Sequence, residues 1–385
     1  MRPLVILGTG LAGYTLAREF RKLNSDRPML ILSQDDGRSY SKPMLSNALA
    51  KGKIPDTLAM ASPETMAEQL NAEVLVTSVV SRIDAEAKTL MLNGQTLAYE
   101  DLVLAVGAEV FRPPLGGDAA DSVLSVNDLG DYAVFRELLG AAPKRVLIIG
   151  GGLIGCEFAN DLAAVGHSVT VVEPMGRPLA TLLPERASQA IEAGLQGLGV
   201  NFLYGANVTA ADHMGSALRV SLADGRHAEA DIVLSAIGLR PRTGLAEMAG
   251  LKVARGICVD RHLRSSNAHI FAIGDCAEVD GKVLMYVLPL MASARALAKT
   301  LSGEDTVVSY PAMPVQIKTP ICPIVVSPVA PGTEGAWAVE ANGQNVKASF
   351  LSKQGQLLGF ALTGSFATDM KEKMGLARAL PPILA

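Results

Sequence analysis

The clearest signal along the chain is a set of short, unbroken apolar runs that end at glycine. Leu4-Val5-Ile6-Leu7 leads into Gly8-Thr9-Gly10-Leu11-Ala12-Gly13, and Val146-Leu147-Ile148-Ile149 leads into Gly150-Gly151-Gly152-Leu153-Ile154-Gly155. A continuous apolar run of this length predicts a strand covered on both faces, as in a parallel sheet. The residues after each glycine turn predict a helix, over roughly Leu153 to Val165 in the second case. Further strands are predicted at Met29–Leu32, at Tyr99–Ala108 around Gly107, at Val169–Val172 ending on Glu173, at Asp231–Ala236 before Gly238, and at Ile270–Asp275. A helix is predicted from about Pro289 to Leu301. Beyond residue 307 the pattern changes to alternating apolar and small residues with many prolines and the only tryptophan, Trp337. That alternation predicts a smaller α+β domain containing a sheet.

The repeat of one scheme, strand, Gly-x-Gly-x-x-Gly, helix, is an internal duplication. Each copy has the dinucleotide-binding pattern. The first glycine permits a tight turn, the second lets the backbone approach a pyrophosphate, and the third lets helix and strand pack closely. Two copies predict two bound dinucleotides, most simply a flavin and a nicotinamide dinucleotide, and electron transfer between them. The expected fold class is α/β, with two Rossmann-like dinucleotide-binding domains and a small C-terminal α+β domain. The expected boundaries are 1–111 for the first part of the FAD-binding domain, 112–239 for the NAD-binding domain, 240–306 for the second FAD part, and 307–385 for a C-terminal interface domain. Pro113-Pro114 and Gly116-Gly117 mark the first crossing.

Composition narrows the function. Of 385 residues, 49% are hydrophobic and 19% charged, so large cores are expected. No window of 18 consecutive apolar residues suggests a membrane span. Because the glycine turn begins at Gly8, the apolar start reads as the first strand rather than a signal peptide, and a cytoplasmic protein is expected. A net charge of −4 argues against nucleic acid as a partner. Residues from 306 onward carry +2 and the remainder −6, so an acidic protein partner would favour the C-terminal segment. The cysteines Cys156, Cys258, Cys276 and Cys322 form no close pair, and the five histidines are scattered. No metal site and no local dithiol are expected.

Glu173, at the end of the second strand of the second copy, is placed to accept hydrogen bonds from a nicotinamide-dinucleotide ribose and to repel the extra phosphate of NADPH. Arg177 nearby could accommodate that phosphate. The equivalent position after the first fingerprint is Ser33, followed by Asp35 and Asp36, any of which could meet the first adenosine ribose.

The two fingerprints, Val106-Gly107, Ala236-Ile237-Gly238 and Ile273-Gly274-Asp275 occur in an order that resembles the FAD-dependent pyridine nucleotide oxidoreductases over about residues 3–305. Tyr40-Ser41-Lys42-Pro43-Met44-Leu45-Ser46 is similar to the NADH–rubredoxin reductase branch. The resemblance implies FAD on Gly8, Gly10 and Gly13, with Gly107, Gly238 and Gly274 at strand ends beside the cofactors. It places Asp275 at the ribityl or phosphate region and Lys42 and Pro43 near the isoalloxazine. It also implies NADH on Gly150, Gly152, Gly155 and Glu173, with Glu157 near the nicotinamide amide. Lys42 and Glu157 become candidate catalytic residues. Lys318 is a candidate at the cofactor and at the docking face. Glu157 could instead be a helix first-turn acid.

Disulfide reductases of this superfamily carry a cysteine pair soon after the first fingerprint, and residues 34–60 here hold none. Electrons would therefore leave directly from FAD; the resemblance implies a one-electron carrier, rubredoxin, as their acceptor and an alkane hydroxylase as a system it supplies. A ferredoxin, oxygen, or a redox-responsive sensor role are the alternatives. The Arg-Pro-Pro-Leu-Ser-Lys pattern of the related ferredoxin reductases and apoptosis-inducing factors appears as Lys42-Pro43-Met44-Leu45-Ser46-Asn47, without its last lysine. A monomer is expected, since no disulfide chemistry demands a shared site.

Overall fold

In the computed structural model, which describes residues 2–385, the two fingerprint strands occupy interior positions in two parallel sheets. Leu4–Leu7 pairs in parallel with Met29–Leu32 on one side and with Asp101–Leu104 on the other. All four of its residues are buried. Glu73–Leu75 and Ile270–Ala272 complete a five-stranded sheet. The second unit repeats this plan: Arg145–Ile149 lies between Ser168–Glu173 and Ile232–Ser235, with Asn201–Tyr204 outermost. Because strands buried on both faces have no polar face, their sequences read as unbroken apolar runs.

The duplication extends further than the fingerprints. In each unit an antiparallel three-stranded meander precedes the strand that returns to the parallel sheet. These meanders are Val80–Asp84, Thr89–Leu92 and Gln95–Ala98 in the first unit, and Val208–Met214, Ala217–Leu222 and His227–Ala230 in the second. The sequence did not announce them. Their strands face solvent on one side and, as in Val208–Met214, carry no clean apolar–polar alternation.

Several predicted elements shift. The run from Tyr99 to Ala108 divides into Asp101–Leu104 and Ala108–Val110, because Gly107, at φ 69°, turns the chain out of the sheet. Ala108–Val110 pairs with Leu239–Pro241 in an antiparallel ribbon joining the two units. The run from Ile270 stops at Ala272 and enters a 3₁₀ turn, Gly274–Cys276. The helix predicted from Pro289 begins at Val287. Proline is tolerated there because first-turn N–H groups lack helical partners anyway.

Residues 315–363 form an antiparallel sheet in the order Val315–Ile317, Ile324–Ser327, Leu357–Thr363, Asn345–Leu351, Ala336–Asn342. Its apolar face packs on the second unit: Ile317, Cys322, Ile324, Val346 and Ala361 share a core with Phe158, Leu162, Ile191 and Leu195. No described helix is long and apolar enough to cross a membrane.

Candidate functional site

The two fingerprints adopt the same backbone geometry. A methyl group on Gly13 would lie 1.9 Å from the carbonyl oxygen of Gly8, and one on Gly155 would lie 1.9 Å from that of Gly150. The third glycine of each motif thus lets the helix press onto the turn. At Gly10 and Gly152 the added carbon would meet nothing within 4 Å. These two residues precede the helices Leu11–Leu23 and Leu153–Ala164, with no side-chain cap and no acid in the first turn of either. Each turn is an open cradle edged by unpaired N–H groups at the positive end of a helix, which suits a pyrophosphate.

Around the first cradle, Ser33 is buried and hydrogen-bonded to Thr9 and to Asp35. Asp35 also accepts from the Gly37 amide at 2.9 Å. Asp36 turns outward to Arg38. Around the second, Glu173 is buried and accepts from the Gly151 amide at 2.7 Å and the Met175 amide at 2.8 Å. Both oxygens keep a free lone pair for ribose hydroxyls. Arg177 Nη2 lies 3.5 Å from the carbonyls of Ala180 and Leu183. With Met175, Glu185, Gln189 and Glu192 it lines a cavity of about 260 Å³.

Between the cradles lies the 3₁₀ segment Lys42–Asn47. Lys42 and Asp275 feel each other's charge: burial lowers the Lys42 pKa and raises that of Asp275, while their mutual attraction opposes both shifts. Among the described residues none donates a hydrogen bond to the Asp275 carboxyl. This half-buried carboxylate fits a ribityl hydroxyl. Gly274, with φ 75°, sits against Ala12 of the first fingerprint helix. Gly107 and Gly238 stand at the start of the two strands of the crossing ribbon.

Glu157 is the fifth residue of its helix, so it is not a first-turn acid. Its side chain is 0% exposed and runs inward. It is hydrogen-bonded to Ser46 and accepts from Lys318 twice, from Nζ at 2.5 Å and from the backbone amide at 2.8 Å. Lys318 comes from the C-terminal sheet domain. Its Nζ also lies 3.4 Å from Ser46 Oγ. Two neighbours on the Glu157 helix, Asn160 and Asp161, are also buried and bonded to other parts of the chain. Sequence reasoning passed over them and Ser46. The legible sign was a polar i, i+3, i+4 set, Glu157, Asn160, Asp161, on an otherwise apolar helix.

No group of three or more His, Cys, Asp or Glu side chains among the described residues could hold a metal. The four cysteines are free. Burial pushes the Cys276 and Cys322 thiols up to about 11 and that of Cys156 well above its ordinary range, which leaves them poor nucleophiles.

Residues 2–297 match the family described as pyridine nucleotide-disulphide oxidoreductase, and residues 307–380 match a rubredoxin binding C-terminal domain. The chain is 57% identical to a rubredoxin-NAD(+) reductase of Alcanivorax borkumensis over the whole of both chains. It is 45% identical to one of Acinetobacter baylyi, covering 100% of this chain and 99% of the relative. Among solved structures, a ferredoxin reductase for the CYP199A2 system of Rhodopseudomonas palustris superposes with a TM-score of 0.86 at 27% identity, covering 94% of this chain and 91% of the other. With two cradles, a C-terminal sheet domain wired to Glu157, and identity of this extent along its full length, the chain belongs to the pyridine nucleotide-disulphide oxidoreductase family.

Proposed function

We infer that the protein oxidises NADH and delivers the electrons through FAD to rubredoxin. The observation that carries this is the joining, in one chain, of two dinucleotide cradles to a C-terminal domain of the rubredoxin-binding type. FAD, when bound, supplies a hydride acceptor that can release electrons singly.

The residues have distinct tasks in this reading. Gly8, Gly10 and Gly13 receive the FAD pyrophosphate, Ser33 and Asp35 face the adenosine end, and Asp275 accepts from the ribityl chain. Lys42 and Pro43 flank the isoalloxazine, and the Lys42 charge favours added negative charge there. Gly107, Gly238 and Gly274 keep strand ends close to the cofactors. Gly150, Gly152, Gly155 and Glu173 hold NADH. The Glu173 carboxylate at the ribose position would repel the extra phosphate of NADPH, so the site favours NADH. Glu157, fixed by Ser46 and Lys318, borders the nicotinamide. Hydride transfer needs no acid or base, so placement of the two rings is what the protein contributes. The domain boundaries given above, a cytoplasmic location, a monomeric state and supply of an alkane hydroxylase belong to the same reading.

Anaerobic bleaching of oxidised rubredoxin by NADH and the purified flavoprotein tests it, with a [2Fe–2S] ferredoxin alongside. Rapid bleaching of rubredoxin alone is expected. Reduction of ferredoxin alone would move the acceptor assignment. Flavin reduction without turnover of either carrier would favour an oxidase or a redox sensor.

A further inference from the structure

The second fingerprint helix, Leu153–Ala164, starts at the NADH cradle and carries three buried polar side chains on one face. Glu157 accounts for one. The other two point to different parts of the molecule. Asp161, 2% exposed, accepts from the Leu49 amide at 2.8 Å and the Ala50 amide at 3.0 Å. These donors lie just beyond the 3₁₀ segment Lys42–Asn47 that flanks the flavin in the proposed reading. Asn160, 4% exposed, accepts from the Ile321 amide at 3.2 Å. That amide belongs to the loop after Lys318 in the C-terminal domain. Neither side chain is hydrogen-bonded to a cradle glycine. At such burial each holds its partner segment in one geometry, because displacing the segment would leave the buried Asp161 carboxylate or Asn160 amide oxygen without a hydrogen-bond partner.

We propose that Asp161 and Asn160 are positioning residues that divide the two half-reactions between them: Asp161 sets the flavin-flanking segment relative to the NADH cradle, and Asn160 sets the C-terminal domain relative to the flavin. The inference rests on the function proposed above. One rigid helix thereby fixes both distances that electron transfer depends on. Hydride transfer is steep in distance, and misplacement by about 1 Å can cost up to about 100-fold. Glu157 bonds both partner segments, whereas Asp161 and Asn160 each bond one, so they are separable by mutation.

The test uses the FAD-loaded full chain and the variants Asp161→Asn and Asn160→Ala. Three rates are measured: flavin bleaching by NADH in rapid mixing, rubredoxin reduction by pre-reduced enzyme, and ferricyanide reduction by pre-reduced enzyme, which needs no docked partner. For Asp161→Asn, bleaching should slow about tenfold or more at saturating NADH. Its NADH affinity should be unchanged and rubredoxin reduction kept within about twofold. Asn160→Ala should show the reverse: normal bleaching, slowed rubredoxin reduction, and normal ferricyanide reduction. Equal losses in both halves for either variant, or no loss, would overturn the proposal, since a merely structural contact would not separate them. Asp161→Asn keeps the side-chain volume and one acceptor oxygen; if it still loses FAD, Asp161 serves cofactor retention and the proposal fails. If wild-type enzyme bleaches with NADH but does not reduce rubredoxin, the functional reading fails instead, and the Asp161 arm remains readable from bleaching alone.

Discussion

At the scale of single residues, the third and second glycines of each fingerprint do different work, although the motif spells them alike. Gly155 is a packing residue, pressed onto Gly150, whereas Gly152 faces open space. Gly155→Ala should therefore destabilise the fold, by about 1–3 kcal/mol or more as for overpacked cores, because backbone cannot yield as a side chain can. Gly152→Ala should leave the melting temperature nearly unchanged and weaken NADH binding, as its methyl would occupy the pyrophosphate position. Thermal unfolding and NADH titration of the two variants separate these outcomes. Lys318 shows the converse case. Its charge looks available for a partner in sequence, yet its ammonium is paired with fully buried Glu157.

At the scale of elements, the link between the second fingerprint helix and the strand Ser168–Glu173 holds a pH-sensitive contact. The backbone amide of Lys144 donates to His167 Nδ1 at 3.1 Å, and burial lowers the His167 pKa. The unfolded chain then binds the proton more readily than the folded one. The contribution of this site to stability is complete above the ordinary histidine value of about 6.5 and is lost as pH falls through the lowered folded value. His167→Gln should lose less stability than wild type on acidification across that window, as measured by denaturant unfolding at a series of pH values. Elements also explain which strands were legible. Parallel strands buried on both faces spelled themselves out as apolar runs. The antiparallel meanders did not, because their pairing partners and a half-exposed surface, rather than composition, define them.

At the scale of the whole molecule, charge is unevenly shared. The C-terminal segment is net positive, but Lys347 pairs with Glu372, Lys353 with Glu334 and Lys318 with Glu157. Among the described residues, Lys371, Lys373 and Arg378 make no ion pair, and all three lie on the helix Met370–Ala379. Attraction of an acidic carrier by such exposed charge is screened by salt. Raising sodium chloride from about 0.05 to 0.3 M should lower kcat/KM for rubredoxin several-fold, mainly through the association rate. Reduction of a neutral quinone measured in parallel should hardly change.

The local chemistry of this protein was written in its sequence. Two strand–glycine–helix units, an acid at the end of the second strand of one of them, the Ile273-Gly274-Asp275 turn and the absence of a cysteine pair each depend on a few adjacent residues, so short-range pattern suffices to find them. The tertiary structure alone decided which groups Glu157, Asn160, Asp161 and Lys318 meet. Their partners lie between 111 and 272 residues away along the chain. A buried polar group takes its role from the donor that packing brings to it, and no local pattern encodes that donor.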